Sequence, residues 1–370
     1  MSESLFVGLI SGTSRDGVDA ALVSLQDDRT DLLHAICLPY PGALRRDLDR
    51  MIEAGEEPPP GRVSALDEQL GRFFARSVVE LTEQAGVERR DIMAIGSHGQ
   101  TVWHDPAGDP PVSIQLGSGS LIARVTGITT VSDFRRADLR AGGQGAPLAP
   151  LLHRKAFNSP DERRAVLNLG GIANLTLLGG ENVTGFDTGP GNCLLDAWIR
   201  QCRGLDYDES GAWAATGNVS EGLLDALLDE PYFKRLPPKS TGLEHFNLGW
   251  LLSRMDDSGL STADVQCTLA ELTASTIAHD LLEFRPRRLL VCGGGIRNAY
   301  LLARLKEHLG DCEVESTAAH GMDPDWVEAI LFAWLARERI EGRTLDTRSV
   351  TGAREPVLLG KIFVGKHSGS

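Results

Sequence analysis

One local pattern opens twice in this chain, and that recurrence constrains the fold more than any other feature. Residues 5–10 (Leu-Phe-Val-Gly-Leu-Ile) and 18–25 (Val-Asp-Ala-Ala-Leu-Val-Ser-Leu) read as buried strands. Ser11-Gly12-Thr13-Ser14-Arg15-Asp16-Gly17 joins them. Residues 165–169 and 175–178 read as a second strand pair, joined through Asn168-Leu169-Gly170-Gly171-Ile172-Ala173-Asn174. Each half therefore begins strand, small-residue loop, strand, a faint internal duplication. Such loops can point successive N–H groups at a phosphate. Two of them facing each other can hold one nucleotide phosphate tail between two domains. The first loop reads equally well as a plain hairpin turn, for which Asp16-Gly17 is a strong signal. It is not a Walker A loop, because no GxxxxGK[ST] occurs.

A length of 370 residues makes two domains the expectation. The polar, glycine-rich stretch around 133–148 marks the boundary, giving 1–135, then 136–345, with 346–370 returning to the first domain. The formal net charge of −14 argues against broad electrostatic binding to nucleic acid or to an anionic membrane. Met1-Ser2-Glu3-Ser4 lacks the basic stretch of a signal peptide, and no apolar run approaches a membrane span. The six cysteines are scattered, with no CxxC pair, so neither a zinc site nor a disulfide framework is expected. Free thiols in a reducing cytoplasm fit that usage.

The residues with chemistry sit beside glycine-rich turns. Gly185-Phe186-Asp187-Thr188-Gly189-Pro190-Gly191-Asn192 closes a polar strand and opens a helix. Its glycines permit close ligand approach, and Asn192 suits the N-cap position. Backbone N–H groups at that helix start attract anions. A base, Asp187, beside an anion site is what phosphoryl transfer needs; an ordinary strand–turn–helix corner is the plain alternative. Residues 92–95 read as a strand ending in Gly96-Ser97-His98-Gly99-Gln100-Thr101. There Gln100 and Thr101 suit the hydroxyl or amide groups of a ligand, and His98 is either a general base or the orienter of a neighbour. Arg135 or Arg136 suits a substrate carboxylate, or pairs with Asp133 or Asp138. Lys239, in a loop beside two hydroxyls, approaches nucleotide or is simply solvated. Gly293-Gly294-Gly295, between a strand and a helix, lets a flat ring such as a nucleoside lie on bare backbone, or is a tight packing turn. Glu328 falls among apolar residues of a helix over about 324–339. There a carboxylate is costly without a partner, so it meets substrate or a metal-bound water, or lies at the helix margin.

Eight segments in this order carry a resemblance. They are Gly8-Leu9-Ile10-Ser11-Gly12-Thr13-Ser14-Arg15-Asp16-Gly17-Val18-Asp19, Gly96-Ser97-His98-Gly99-Gln100-Thr101, Asp133-Phe134-Arg135, Gly142-Gly143-Gln144-Gly145-Ala146-Pro147-Leu148, Asn168-Leu169-Gly170-Gly171, Phe186-Asp187-Thr188-Gly189-Pro190-Gly191-Asn192, Pro238-Lys239-Ser240-Thr241-Gly242 and Cys292-Gly293-Gly294-Gly295. Together they closely resemble the anhydro-N-acetylmuramic acid kinases of bacterial cell-wall recycling, over nearly the whole chain. The resemblance implies an α/β, two-domain actin-like ATPase and sugar-kinase fold with a nucleotide cleft between the domains. It also implies ATP, Mg²⁺, a homodimer and a cytoplasmic place. Carried over by position, Gly12, Thr13, Ser14, Arg15, Asp16, Gly17, Val18 and Asp19 form the first phosphate loop, with Arg15 where an apolar residue is expected. Gly170, Gly171, Gly293, Gly294 and Gly295 complete the nucleotide site. Asp187 becomes the catalytic base, and Glu328 its helper near the water or metal. Gln100, Thr101, Arg135 and Asn192 are the substrate-binding candidates; no residue is assigned as a direct metal ligand. The reaction implied is hydrolytic opening of 1,6-anhydro-N-acetylmuramic acid with phosphorylation of O6. A kinase acting on an intact sugar hydroxyl and an ATP-switched binding protein of the same fold are the rivals.

Overall fold

A computed structural model describes residues 4–12, 15–27, 29–52, 54–180, 182–255 and 259–366. The strands are β1 (Ser4–Ser11), β2 (Gly17–Leu25), β3 (Thr30–Pro39), β4 (Ile92–Asp105), β5 (Val112–Leu116), β6 (Thr130–Ser132), β7 (Arg164–Leu169), β8 (Ile172–Gly179), β9 (Asn182–Pro190), β10 (Arg288–Cys292), β11 (Glu313–Ser316) and β12 (Lys361–Phe363). The helices are α1 (Gly42–Ile52), α2 (Pro60–Ala85), α3 (Gly119–Thr126), α4 (Arg136–Arg140), α5 (Ala149–Phe157), α6 (Cys193–Arg203), α7 (Glu221–Leu228), α8 (Leu248–Leu252), α9 (Thr262–Leu281), α10 (Ala299–Leu309), α11 (Val327–Ile340) and α12 (Arg348–Thr351). No helix among the described residues is long and apolar enough to cross a membrane.

The chain divides into two compact units, Met1–Leu152 with Gly321–Ser370, and His153–His320. In the first unit the sheet runs β12-β6-β4-β1-β2-β3, with β5 beside β4; in the second it runs β11-β10-β7-β8-β9. Short loops make β1–β2–β3 and β7–β8–β9 antiparallel meanders. The fourth strand of each unit, β4 or β10, then pairs parallel with the first, and a further strand pairs parallel with the fourth. Parallel pairing requires a helical crossover, which α1 and α2 supply in the first unit and α6 to α9 in the second. The recurrence read in sequence is thus a recurrence of strand order.

In the first unit, Val7, Leu9, Ala20 and Leu22 pack with Leu70, Phe74 and Val78 of α2. On the other side α11, apolar almost all round, lies directly on bare backbone. A Cβ at Gly8 would stand 1.8 Å from the Ala329 carbonyl oxygen, and one at Gly96 1.8 Å from that of Phe332. Two glycines on neighbouring strands therefore set how close α11, and Glu328 in its first turn, comes to the sheet. In the second unit α9 is buried along most of its length and shares a core with Leu167, Leu175, Phe186 and Trp198.

Several elements differ from the sequence expectation. Residues 96–101 do not form a loop at a strand end; β4 continues through them, paired with β1 up to Ser11↔Gln100 and then with β5. Helix α2 starts at Pro60, with Pro in the N-terminal turn. There its missing N–H costs nothing and its fixed φ suits the helix. Asn192 stands at the start of α6 without a side-chain cap bond. The unit boundaries fall at 152/153 and 320/321 rather than 135/136 and 345/346. The reason at the first is Asp138, fully buried and bonded both within the glycine-rich stretch and to residues near the C-terminal end of the chain, so that the stretch stays in the first unit. Its carboxylate accepts Gly145 N at 2.7 Å and the Thr347 and Thr351 hydroxyls at 2.6 and 2.7 Å. At the second, α11 packs on β1 and β4 and so belongs with the first sheet.

Candidate active site

The sequence candidates fall into two groups, each built within one unit. In the second unit Asp187 lies on β9 between the buried Phe186 and Thr188, as strand alternation requires. Its main chain and one carboxylate oxygen are held. Asp187 N donates to the Lys239 carbonyl at 3.1 Å. Its carbonyl accepts the Tyr232 hydroxyl at 2.9 Å, and its Oδ2 accepts Thr241 N at 3.0 Å. Burial pushes its carboxyl up to about 6; the Thr241 bond and the Lys239 charge oppose that, while the Glu244 charge reinforces it. A carboxylate with that pKa takes up a proton readily near neutrality, the property of a general base. Lys239 itself is buried and turned away, its ammonium 2.9 Å from Asp280 on α9. It is neither solvated nor offered to a ligand.

The turn after Asp187 does not present its N–H groups to an anion. Gly191 N and Cys193 N donate to the Gly171 carbonyl at 2.9 and 3.1 Å, and Asn192 N to that of Gly170 at 2.9 Å. The Asn192 side chain donates to the Leu169 carbonyl at 3.1 Å, and Thr273 of α9 caps the carbonyls of Pro190 and Gly191. The start of α6 is therefore docked onto the 168–171 loop. A Cβ at Gly295 would meet Leu169 Cβ at 2.6 Å and Asn192 Nδ2 at 2.9 Å, and one at Gly293 would meet Asn168 Oδ1 at 2.3 Å. These glycines are needed for close packing of three segments. Gly294 has nothing within 4 Å of its Cβ position, and Gly170 nothing nearer than 3.5 Å, so both leave bare backbone open.

In the first unit, Thr13 and Ser14 lie outside the described residues. Arg15 N donates to the Gly12 carbonyl at 3.2 Å, and Arg15 has a positive φ of 53°. Its guanidinium meets Asp49 of α1 at 3.2 Å. Val18 is core, and Gly17 sits where a Cβ would be 2.4 Å from the Leu38 carbonyl. Asp16 is exposed. Burial pushes the Asp19 carboxyl up to about 6, against a hydrogen bond from Cys37 and with the charges of Asp16 and Asp325 adding to the rise. Gln100 is buried, its Oε1 accepting the Ser11 hydroxyl at 2.6 Å while its Nε2 donates to the Thr101 carbonyl. Thr101 accepts from Gln115 at 3.3 Å.

His98 is an orienter. Burial and the Arg135 charge hold its ring neutral. Nδ1 donates to the Gly99 carbonyl at 3.0 Å, which leaves Nε2 to accept Arg135 Nη2 at 2.9 Å. Arg136, not Arg135, pairs with Asp133 at 3.1 Å. The Arg135 guanidinium is desolvated, its pKa lowered to about 10, with the Glu328 charge opposing the fall. Its Nε is buried without a partner among the described residues. Such an orphaned donor leaves an acceptor wanting. Glu328 is open to solvent, yet desolvation and the Asp19 charge raise its carboxyl, with Arg135 opposing. Glu328 thus feels the charges of both Asp19 and Arg135. No group of three or more His, Cys, Asp or Glu residues that could hold a metal ion occurs among the described residues.

Sequence reasoning missed Tyr232, Thr241 and Thr273, which hold the Asp187 turn. The 238–242 loop was signalled by the hydroxyls beside Lys239 and by its place among the eight segments, but its bond to Asp187 was not.

Comparison with known proteins adds the following. A family model described as anhydro-N-acetylmuramic acid kinase matches residues 4–365. The chain is 52% identical over 365 residues to the anhydro-N-acetylmuramic acid kinase of Xanthomonas campestris pv. campestris (strain 8004), covering 97% of each. It is 50% identical over 365 residues to that of Xanthomonas axonopodis pv. citri (strain 306), covering 97% of this chain and 98% of the relative. Among solved structures, the activator of 2-hydroxyisocaproyl-CoA dehydratase from Clostridium difficile with bound ADPNP aligns over 91% of this chain and 96% of its own, at 13% identity and a TM-score of 0.46.

Proposed function

The chain belongs to the anhydro-N-acetylmuramic acid kinase family, and from that membership we propose that it uses ATP to open 1,6-anhydro-N-acetylmuramic acid hydrolytically. The products are N-acetylmuramic acid 6-phosphate and ADP. The observation that carries the reading is Asp187, a carboxyl held through its main chain and its Oδ2, with its pKa raised to about 6. Asp187 takes a proton from water as the water oxygen attacks the anomeric carbon. The bond from that carbon to O6 breaks, and O6 receives the γ-phosphoryl group of ATP. One base suffices, because the leaving oxygen is captured by phosphorus rather than by a proton, unlike in an inverting glycosidase.

Arg135, held by His98 and one acceptor short, suits an anionic oxygen of the substrates, the lactyl carboxylate being our assignment. Gln100 acts through Ser11 at the end of β1 rather than by an exposed amide, and Thr101 and Asn192 remain candidates for sugar contact. Gly12 to Asp19, Gly170, Gly171 and Gly293 to Gly295 are assigned to the nucleotide. Magnesium fits the residues present: a nucleotide-bound Mg²⁺ keeps waters and phosphates and needs only one or two carboxylates. Asp19 and Glu328, two carboxyls raised by desolvation, with the Asp19 charge adding to the rise at Glu328, would hold it. When bound it neutralises charge on the transferring phosphoryl group. A homodimer in the cytoplasm completes the reading.

Turnover in ¹⁸O-water tests it. Label is expected at the C1 hydroxyl of the phosphorylated sugar, initially as the α anomer. Label in inorganic phosphate would mean plain ATP hydrolysis, and a phosphorylated sugar with its bridge intact would mean an ordinary sugar kinase.

A further inference from the structure

The segment from Glu230 to Arg254 is folded around one buried carboxylate, which the reaction above does not use. Glu230 is 7% exposed. Its Oε2 accepts Trp250 Nε1 at 2.9 Å and Arg254 Nη2 at 2.5 Å. Its Oε1 accepts Tyr232 N at 3.3 Å and lies 3.4 Å from His245 Nε2. Despite desolvation, these donors and the charges of His245 and Arg254 hold its carboxyl below the usual range, so it is a fixed negative charge.

Two arms leave Glu230 and both end on Asp187. One is Tyr232, whose N–H is bound to Glu230 and whose hydroxyl donates to the Asp187 carbonyl. The other is His245, facing Glu230 with Nε2 and bonded through Nδ1 to the Thr241 hydroxyl at 3.2 Å; Thr241 N then donates to Asp187 Oδ2. The His245 ring stacks on Phe246 at 4.2 Å and meets Tyr232 edge-on at 5.8 Å, so the two arms also brace each other. We propose that Glu230, His245 and Tyr232 are positioning residues for Asp187, one arm fixing its main chain and the other keeping the Thr241 amide aimed at its carboxylate. The proposal rests on Asp187 being the base of the reaction proposed above. The charged and titratable groups facing Asp187 are Thr241's neighbours Lys239 and Glu244, together with Tyr232; those facing His245 are Glu230 and, through it, Arg254.

The test is a ¹³C NMR titration of the Asp187 carboxyl in the full chain, its signal identified by loss in Asp187→Asn. The wild-type midpoint is expected near pH 6. Loss of a charge-assisted hydrogen bond should raise it by about one pH unit in His245→Phe, which keeps the stack, and in Glu230→Gln. Tyr232→Phe removes a single oxygen, so it keeps the fold testable. It should lower kcat on the anhydro-sugar by about threefold to tenfold with KM for ATP unchanged, as a misplaced base requires. A midpoint unmoved in both His245→Phe and Glu230→Gln overturns the proposal, whatever happens to their melting temperatures, and so does a wild-type kcat in Tyr232→Phe. If the wild-type protein fails to turn over the anhydro-sugar, the reaction falls, while the titration still decides the positioning.

Discussion

Asp187 and Arg135 are held in opposite ways. Asp187, in the second unit, has a partner for its N–H, its carbonyl and its carboxylate. Arg135, in the first, is gripped at one edge by His98 and has a buried Nε with no partner among the described residues. Both groups are desolvated, so both cost stability in the resting protein. The difference teaches what each awaits. The base proposed here must keep its position while a proton moves, which its main-chain bonds and the Thr241 amide achieve. An arginine left short of an acceptor is stabilised by an arriving anion, so its desolvation cost becomes affinity for that anion.

The most damaging break to this contrast is Asp187→Asn. The amide keeps its bond to Thr241 N but is no base, so turnover should fall by about 10²–10⁴-fold. Nucleotide binding measured by calorimetry should be unchanged; turnover near wild type would remove Asp187 from the chemistry.

Arg135→Lys should be milder. A lysine keeps the charge but lacks the planar fork that His98 orients. We expect kcat/KM for the anhydro-sugar to drop about 10–100-fold, mostly through KM. An unchanged KM would show that Arg135 meets no substrate oxygen.

The smallest effect is one of pH and stability, and its two signs are opposed. With the Asp187 carboxyl at about 6, kcat/KM should fall as pH drops through about 6. The folded state holds this proton to higher pH than the unfolded chain does, so ionisation weakens the fold as pH rises between the usual carboxyl range and about 6. Asp187→Asn should therefore be more stable than wild type at pH 8, by on the order of 1–2 kcal/mol after allowing for solvent screening. That gain should vanish near pH 4. Equal melting curves at pH 8 would mean that Asp187 carries no desolvation cost.

The α/β class, the strand–loop–strand recurrence and the Asp187 turn were legible because each rests on local pattern. Buried strands need apolar runs, tight loops need small residues, and a helix follows its turn directly. Where boundaries were misread, local chemistry had two meanings. Gly96 to Thr101 read as a strand end, whereas pairing with β1 and β5 carries the strand onward.

The sequence by itself determined which residue types stand at the turns, and through the eight ordered segments it identified the family. Tertiary structure alone decided what those residues do. Lys239 has its acceptor 41 residues away in Asp280, Arg135 its orienter 37 residues back in His98, and the Asn192 amide donates to the Leu169 carbonyl rather than capping its own helix. A hydrogen bond depends on distance and angle in space, and the chain order of two residues does not specify either until the sheet between them has formed.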